Sequence, residues 1–212
     1  MKKFLIAAAT AVFACFSASA QDQGHVNIGG SLGFTSSTDY VKAGGLDTKS
    51  SNGGSFNISA QASYFVIDNL AITFGLGFNT EKTITAAVTG QITSWTNLGS
   101  ISLGANYYVR LCEKFYWTPG LMLTEGIGAS HRKLAGFDVE ENAFVNALNI
   151  QLVLARLEYK FNDHFSVFGN CGNLGFTTTS FKYDSDNKET TNEWNMDLSS
   201  LLALNFGFSY WF

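Results

Sequence analysis

Few residues of this 212-residue chain have the type and spacing for chemistry. His164 and Ser166 stand two apart, as a base beside a hydroxyl nucleophile would. Such a pair needs a carboxylate to orient the imidazole, and the stretch from Ser166 to Tyr183 contains no acid. Asp184 and Asp186, with Glu189, cluster the oxygens that a hard divalent cation prefers. They lack the glycine and the full spacing of a calcium loop, so a solvated acidic loop tip is the favoured reading. His131, Arg132 and Lys133 form a short basic run that could touch a phosphate. Arg156, Glu158 and Lys160 are the clear charges inside an otherwise apolar segment, and Arg110 ends another. The spacing admits no metal site and no cofactor, and nothing points to catalysis.

The elements that must position these residues are strands. Period-two alternation, the mark of a strand with unlike faces, recurs eight times. It runs through Val26, Ile28, Leu32 and Phe34, through Phe56 to Tyr64, through Leu70 to Phe78, and through Ile101 to Val109. It returns at Phe115–Thr124, Phe144–Phe161, Phe165–Thr177 and Leu202–Phe212. In the sixth segment Leu148, Ile150, Leu152 and Leu154 share one parity while Leu157, Tyr159 and Phe161 share the other. A β-bulge near Ala155–Arg156 reconciles them. The seventh changes parity across Gly169–Gly172, and Pro119 predicts a local break in the fifth, since it has no N–H for a ladder. By the bulged register Arg110, Arg156, Glu158 and Lys160 face one interior as an ionic cluster that plugs it.

Joins alternate in length. Tight turns are expected at Asp68–Asn69, 112–114 and Asn162–Asp163, and long polar loops at 37–54, 80–96, 125–143 and 178–195. Short turns at one end and long loops at the other describe an eight-stranded antiparallel up-and-down barrel. Composition then decides its solvent. Charged residues are only 14% of the chain, about half the usual share, against 19 Phe, 8 Tyr and 4 Trp. Segments 25–36, 55–66, 70–80, 97–109 and 198–212 hold no Asp, Glu, Lys or Arg. A polar face in water would carry Lys and Glu, whereas this one is Ser, Thr, Asn, Gln and Gly. Small neutral polars suit a packed lumen, and the apolar face then meets lipid. No open sheet edge survives in hydrocarbon, so the sheet must close. Aromatics at the tight-turn end (Tyr64, Phe65, Tyr107, Tyr108, Phe115, Tyr116, Trp117, Tyr159, Phe161, Tyr210, Trp211 and Phe212) read as an interfacial girdle. Phe34, Phe78, Trp95 and Phe176 begin the other one.

Lys2 and Lys3, an apolar run from Phe4 to Phe16 and a small-residue site at Ala18–Ala20 read as a secretory signal over 1–20, cleaved between Ala20 and Gln21. The domain is then 21–212. Loss of two lysines takes the net charge from -4 to -6, and an acidic chain without a basic stripe excludes a nucleic-acid partner. Of the remaining thiols, Cys112 falls in a tight turn and Cys171 mid-strand, so no disulfide is expected.

The final Leu202, Leu204, Phe206, Phe208, Tyr210 and Phe212, alternating to a terminal aromatic, resembles the assembly signal of outer-membrane β-barrels. With the signal sequence and the eight segments, the whole chain resembles the small outer-membrane protein β-barrel domain family, the porin-like group of Gram-negative bacteria. That resemblance implies an all-β transmembrane barrel in the outer membrane. It implies periplasmic termini, insertion by the β-barrel assembly machinery, and contact with outer-membrane lipid and lipopolysaccharide. It implies no catalytic residues. A monomer with a structural or surface-interaction role is expected, its long loops offered to a host or surface ligand, its lumen too narrow for a general solute pore. His164 and Ser166 resemble the His-x-Ser of barrel-type lipid A deacylases, which sets a lipid-modifying enzyme as the alternative; a narrow ion channel is the other.

Overall fold

The computed structural model describes residues 23–43, 46–87, 90–135, 139–183, 187–197 and 206–212. Their regular structure is entirely β. The strands are β1 (Val26–Ala43), β2 (Leu46–Ile67), β3 (Leu70–Ala87), β4 (Gly90–Tyr107), β5 (Val109–Cys112), β6 (Phe115–Trp117), β7 (Gly120–Leu134), β8 (Val139–Lys160), β9 (Phe165–Tyr183), β10 (Lys188–Asp197) and β11 (Phe206–Trp211). The signal segment, the Ala20–Gln21 site, Asp184, Asp186, Leu202 and Leu204 lie outside the described residues.

Among the described residues eleven strands, not eight, follow eight antiparallel passes, and the expected count is corrected accordingly. β4 and β5 form one pass broken at Tyr108. β6 and β7 form another, broken at Thr118–Pro119. The proline lacks a ladder donor, yet its carbonyl still accepts from the Tyr107 amide at 2.8 Å while the Thr118 amide donates to the Arg156 carbonyl at 2.8 Å. β10 and β11 both lie along β9. The ring closes where β1 pairs with β11, from Asn27↔Trp211 to Leu32↔Phe206. Among the described residues, β1 above Leu32 pairs with β2 alone, and β10 with β9 alone.

The expected long loops are the larger correction. β1 and β2 stay paired up to Ala43↔Leu46, β3 and β4 up to Ala87↔Gly90, and β7 and β8 up to Leu134↔Val139. Hydrophobic alternation stops where the apolar environment stops, but the ladder does not. Thr and Ser, at home on a pleated surface, carry the hairpins onward with polar residues on both faces.

Faces follow the pleat. Leu70, Ile72, Phe74, Leu76 and Phe78 alternate with Ala71, Thr73, Gly75 and Gly77, and the same division recurs around the ring. Ile101, Leu103, Leu121, Leu123, Ile127 and Ile150 are each about half exposed, on the outside. A contiguous apolar band of that size has no place in water and marks a lipid-facing belt. The predicted bulge is present: the register of β8 against β9 shifts between Val153 and Arg156, with Ala155↔Gly172 followed by Arg156↔Asn170. Both strands change parity at that rung. At the Asp68–Asn69 turn, Asn69 adopts φ 68°, the left-handed conformation that Asn tolerates.

Candidate functional site

The two ends of the barrel are built differently. At the tight-turn end the interior is full. Phe65, Tyr108, Tyr116 and Trp211 are buried together, with ring centroids 5.0 Å apart for Phe65–Tyr108 and 5.6 Å for Phe65–Trp211. These rings were expected in the interfacial girdle. Successive residues of a strand point to opposite faces, so each aromatic doublet divides: Tyr64, Tyr107 and Tyr210 stay outside, while Phe65, Tyr108 and Trp211 turn in. Tyr210 packs there against Phe165 and Phe212, at 5.1 and 4.7 Å.

Polar chemistry inside this plug centres on Glu158, fully buried. The Ser166 hydroxyl donates to Glu158 Oε1 at 2.5 Å and accepts from Trp211 Nε1 at 2.9 Å. Arg156 Nη2 lies 3.9 Å from Glu158 Oε2, its guanidinium 3.7 Å over the Phe168 ring. Lys160 Nζ stands 3.8 Å over Trp211. The ring of Phe168 fills the space above Gly207, where even a Cβ would collide. Arg156, Glu158 and Lys160 thus meet in one cluster. Arg110 lies on the same cross-strand row through Arg110↔Tyr116 and Tyr116↔Glu158, and its Nε donates to the Cys112 carbonyl at 3.4 Å.

At the other end the interior opens. Inward-facing residues of β3, β4, β7, β8, β9 and β10 enclose a mouth of about 450 Å³. Its charges are Glu81, Glu141 and Glu189 against Arg132, with hydroxyls from Thr83, Thr85, Ser94, Thr96 and Ser130. Arg132 Nη1 reaches Glu141 Oε2 at 3.9 Å. The Tyr183 hydroxyl donates to Glu189 Oε2 at 3.2 Å, and burial together with that acceptor pushes its pKa up. Hydroxyls and surplus carboxylate suit a hydroxylated or cationic ligand. Among the described residues no three His, Cys, Asp or Glu side chains are grouped to hold a metal.

The remaining candidates separate. Ser166 is engaged by Glu158 and Trp211, whereas His164 Nδ1 lies 3.1 Å from the Trp211 carbonyl and its ring stacks on Tyr210. Base and hydroxyl therefore do not meet. Cys112 is a free, exposed thiol. Glu125 escaped sequence reasoning because it was assigned to a loop. It lies in β7 on the face of Leu121, Leu123 and Ile127, and Asn146 Nδ2 donates to its Oε1 at 2.5 Å. Counting parity on through residue 127 would have exposed it.

A family model described as "Outer membrane protein beta-barrel domain" matches residues 5–212. Similar solved structures include a major outer membrane protein of Thermus thermophilus, 15% identical, covering 89% of this chain and 99% of its own, with TM-score 0.49. OprG of Pseudomonas aeruginosa is 14% identical, covers 91% of this chain and 98% of its own, and has TM-score 0.44. Ail, the attachment invasion locus protein of Yersinia pestis, is 14% identical, covers 90% and 99%, and has TM-score 0.40. No curated protein matches the chain.

Proposed function

Because this chain belongs to the outer membrane protein β-barrel domain family, we propose that it is a non-enzymatic outer-membrane barrel that holds a packed wall in the membrane and displays a rim of paired hairpins outside it. The carrying observation is the contrast between its ends: a lumen filled by Phe65, Tyr108, Tyr116 and Trp211 around Glu158, and a charged mouth of about 450 Å³ at the far end of the same strands. Charged and hydroxyl groups on that rim are what a surface ligand, from a host or a neighbouring cell, would meet. Val26 and Phe212 meet at the tight-turn end, which in this reading faces the periplasm, where the assembly machinery receives the last strand. Outer-leaflet lipid and lipopolysaccharide surround the belt, and a single copy completes the ring.

Planar-bilayer recording in concentrated salt tests the packed wall. No discrete conductance steps are expected, and steady steps would establish the narrow-channel alternative instead. Comparing outer-membrane lipids by mass spectrometry with and without the protein tests the non-enzymatic reading. An unchanged acyl pattern is expected, and an altered one would establish a lipid-modifying enzyme.

A further inference from the structure

Outside the barrel, just above the apolar belt, three strands align cationic and aromatic side chains. Lys82 pairs with Trp95, Trp95 with His131, and His131 with Asn142 in one cross-strand row. All four share the outward parity, continuing Phe78 on β3 and Ile127 on β7. Lys82 and His131 each stand four residues above those last apolar positions. At ~3.3 Å per residue and a tilt of about 40°, that lifts them roughly 10 Å. The polar layer of a leaflet is about 5–7 Å deep, and a lysine stem reaches several ångströms along an apolar surface. The row thus borders the headgroups.

Its local geometry suits an anion. Lys82 Nζ lies 5.3 Å from the Trp95 ring centroid, so cation and ring form one surface. His131 Nδ1 lies 2.6 Å from Asn142 Oδ1; an amide oxygen only accepts, so Nδ1 carries a proton, and Nε2 donates to an anion when the ring holds its second proton. Lys133 Nζ bonds Glu140 Oε1 at 2.6 Å, which offsets the carboxylate of the next rung. A groove of about 430 Å³ runs between Trp95, Asn97, His131 and Asn142. On the β9–β10 side of the belt's outer edge stand Phe176 and Trp194, their rings 4.9 Å apart.

We propose that Lys82, Trp95 and His131 form a seat for the phosphate of an outer-leaflet lipid headgroup. Lys82 Nζ and the Nε2–H of the doubly protonated His131 hold the phosphate oxygens, and the Trp95 ring between them backs the ammonium. The seat rests on the barrel standing in the outer membrane with its mouth outward, and it adds a specific lipid contact to that reading.

The test is native mass spectrometry of the full chain, folded in detergent and offered a phosphorylated glycolipid. A second arm offers the same lipid with its phosphates removed, and a third adds millimolar inorganic phosphate as competitor. Charge-assisted contacts are worth about tenfold each. The doubly substituted K82Q/H131Q protein should therefore retain the phosphorylated lipid at least about tenfold less than the unsubstituted chain or the distant Lys188→Gln control. The dephosphorylated lipid should fall by a similar factor, and inorganic phosphate should not compete. Equal retention by K82Q/H131Q, equal retention of the dephosphorylated lipid, or no retention by any form would overturn the seat. Full displacement by inorganic phosphate would overturn its assignment to a lipid. Heat-dependent gel migration confirms that each variant is folded. Protease access to the hairpin tips in intact cells reads the orientation separately, so failure of the seat and failure of the outer-membrane reading are distinguishable.

Discussion

The lower and upper halves of this barrel share one backbone ladder and differ in nearly everything attached to it. Below the outer edge of the belt the outside is Phe, Leu and Ile, and the inside is filled. Above it the same strands run on with Thr, Ser, Asn and charge on both faces, around an open mouth. Strand pairing is therefore the constant, and side-chain chemistry records the solvent. A hairpin already registered in the wall propagates upward without hydrophobic burial, because each added rung costs little once its neighbours are held.

The largest blow to that contrast should come from the plug. Glu158→Ala leaves Arg156 buried without its carboxylate, a change that typically costs about 3–5 kcal/mol. Denaturant unfolding of the micelle-folded barrel measures it, and the paired replacement R156M/E158L should recover most of the loss. A Glu158→Ala cost near zero would mean the turn end is not a plug.

Gly207→Ala is next. Its new methyl must displace the Phe168 ring that lies under Arg156, and overpacking of this kind costs about 1–3 kcal/mol. The same unfolding assay reads it, with the unchanged gel shift of the folded form as a check on topology.

Glu125→Leu should go the other way. A carboxylate on the lipid face near the belt's outer edge carries a penalty of about 0–1 kcal/mol, so removing it gains up to that amount in bilayer refolding. A loss instead would assign the Glu125–Asn146 pair a partner in the membrane.

The smallest effect belongs to the upper wall. The hydrogen bond from Lys133 holds the Glu140 carboxyl below the usual Glu range. A depressed carboxylate contributes above its unfolded pKa and stops contributing as pH falls through the native value. NMR titration of Glu140 should show that lowered midpoint, and Lys133→Ala should return it to the ordinary range with no change in barrel melting at neutral pH.

Much of the lower half was legible in the sequence. Period two named the strands, the parity break at Ala155–Arg156 located the bulge, and Pro119 marked the interrupted pass. Arg156, Glu158 and Lys160 were placed together because a bulge leaves them only one face. The upper half was far less legible. Residues such as Thr83, Ser94 and Thr96 carry no alternation once both faces are wet, so hairpins read as loops, and Glu125 was lost among them. The aromatic doublets failed for another reason. Position along a strand was used where parity decides, and Phe65, Tyr108 and Trp211 belong to the plug. The cross-strand row Lys82–Trp95–His131 joins residues from three hairpin arms, and only the register brings them level.

The bulge between β8 and β9 has a consequence for how this chain can change. Above it the even-numbered residues of β8 meet lipid; below it they meet the lumen. Length in this strand therefore behaves as arithmetic modulo two. Removing Leu154 alone erases the extra residue and lets alternation run unbroken from Leu148 to Lys160, with both halves on their present sides. Removing a second residue beside it delivers Arg156, Glu158 and Lys160 to hydrocarbon or folds Leu148, Ile150 and Leu152 into the plug. At this level a single deletion removes the bulge and a second one reverses a face, whereas the hairpin rims above can lengthen or shorten one rung at a time.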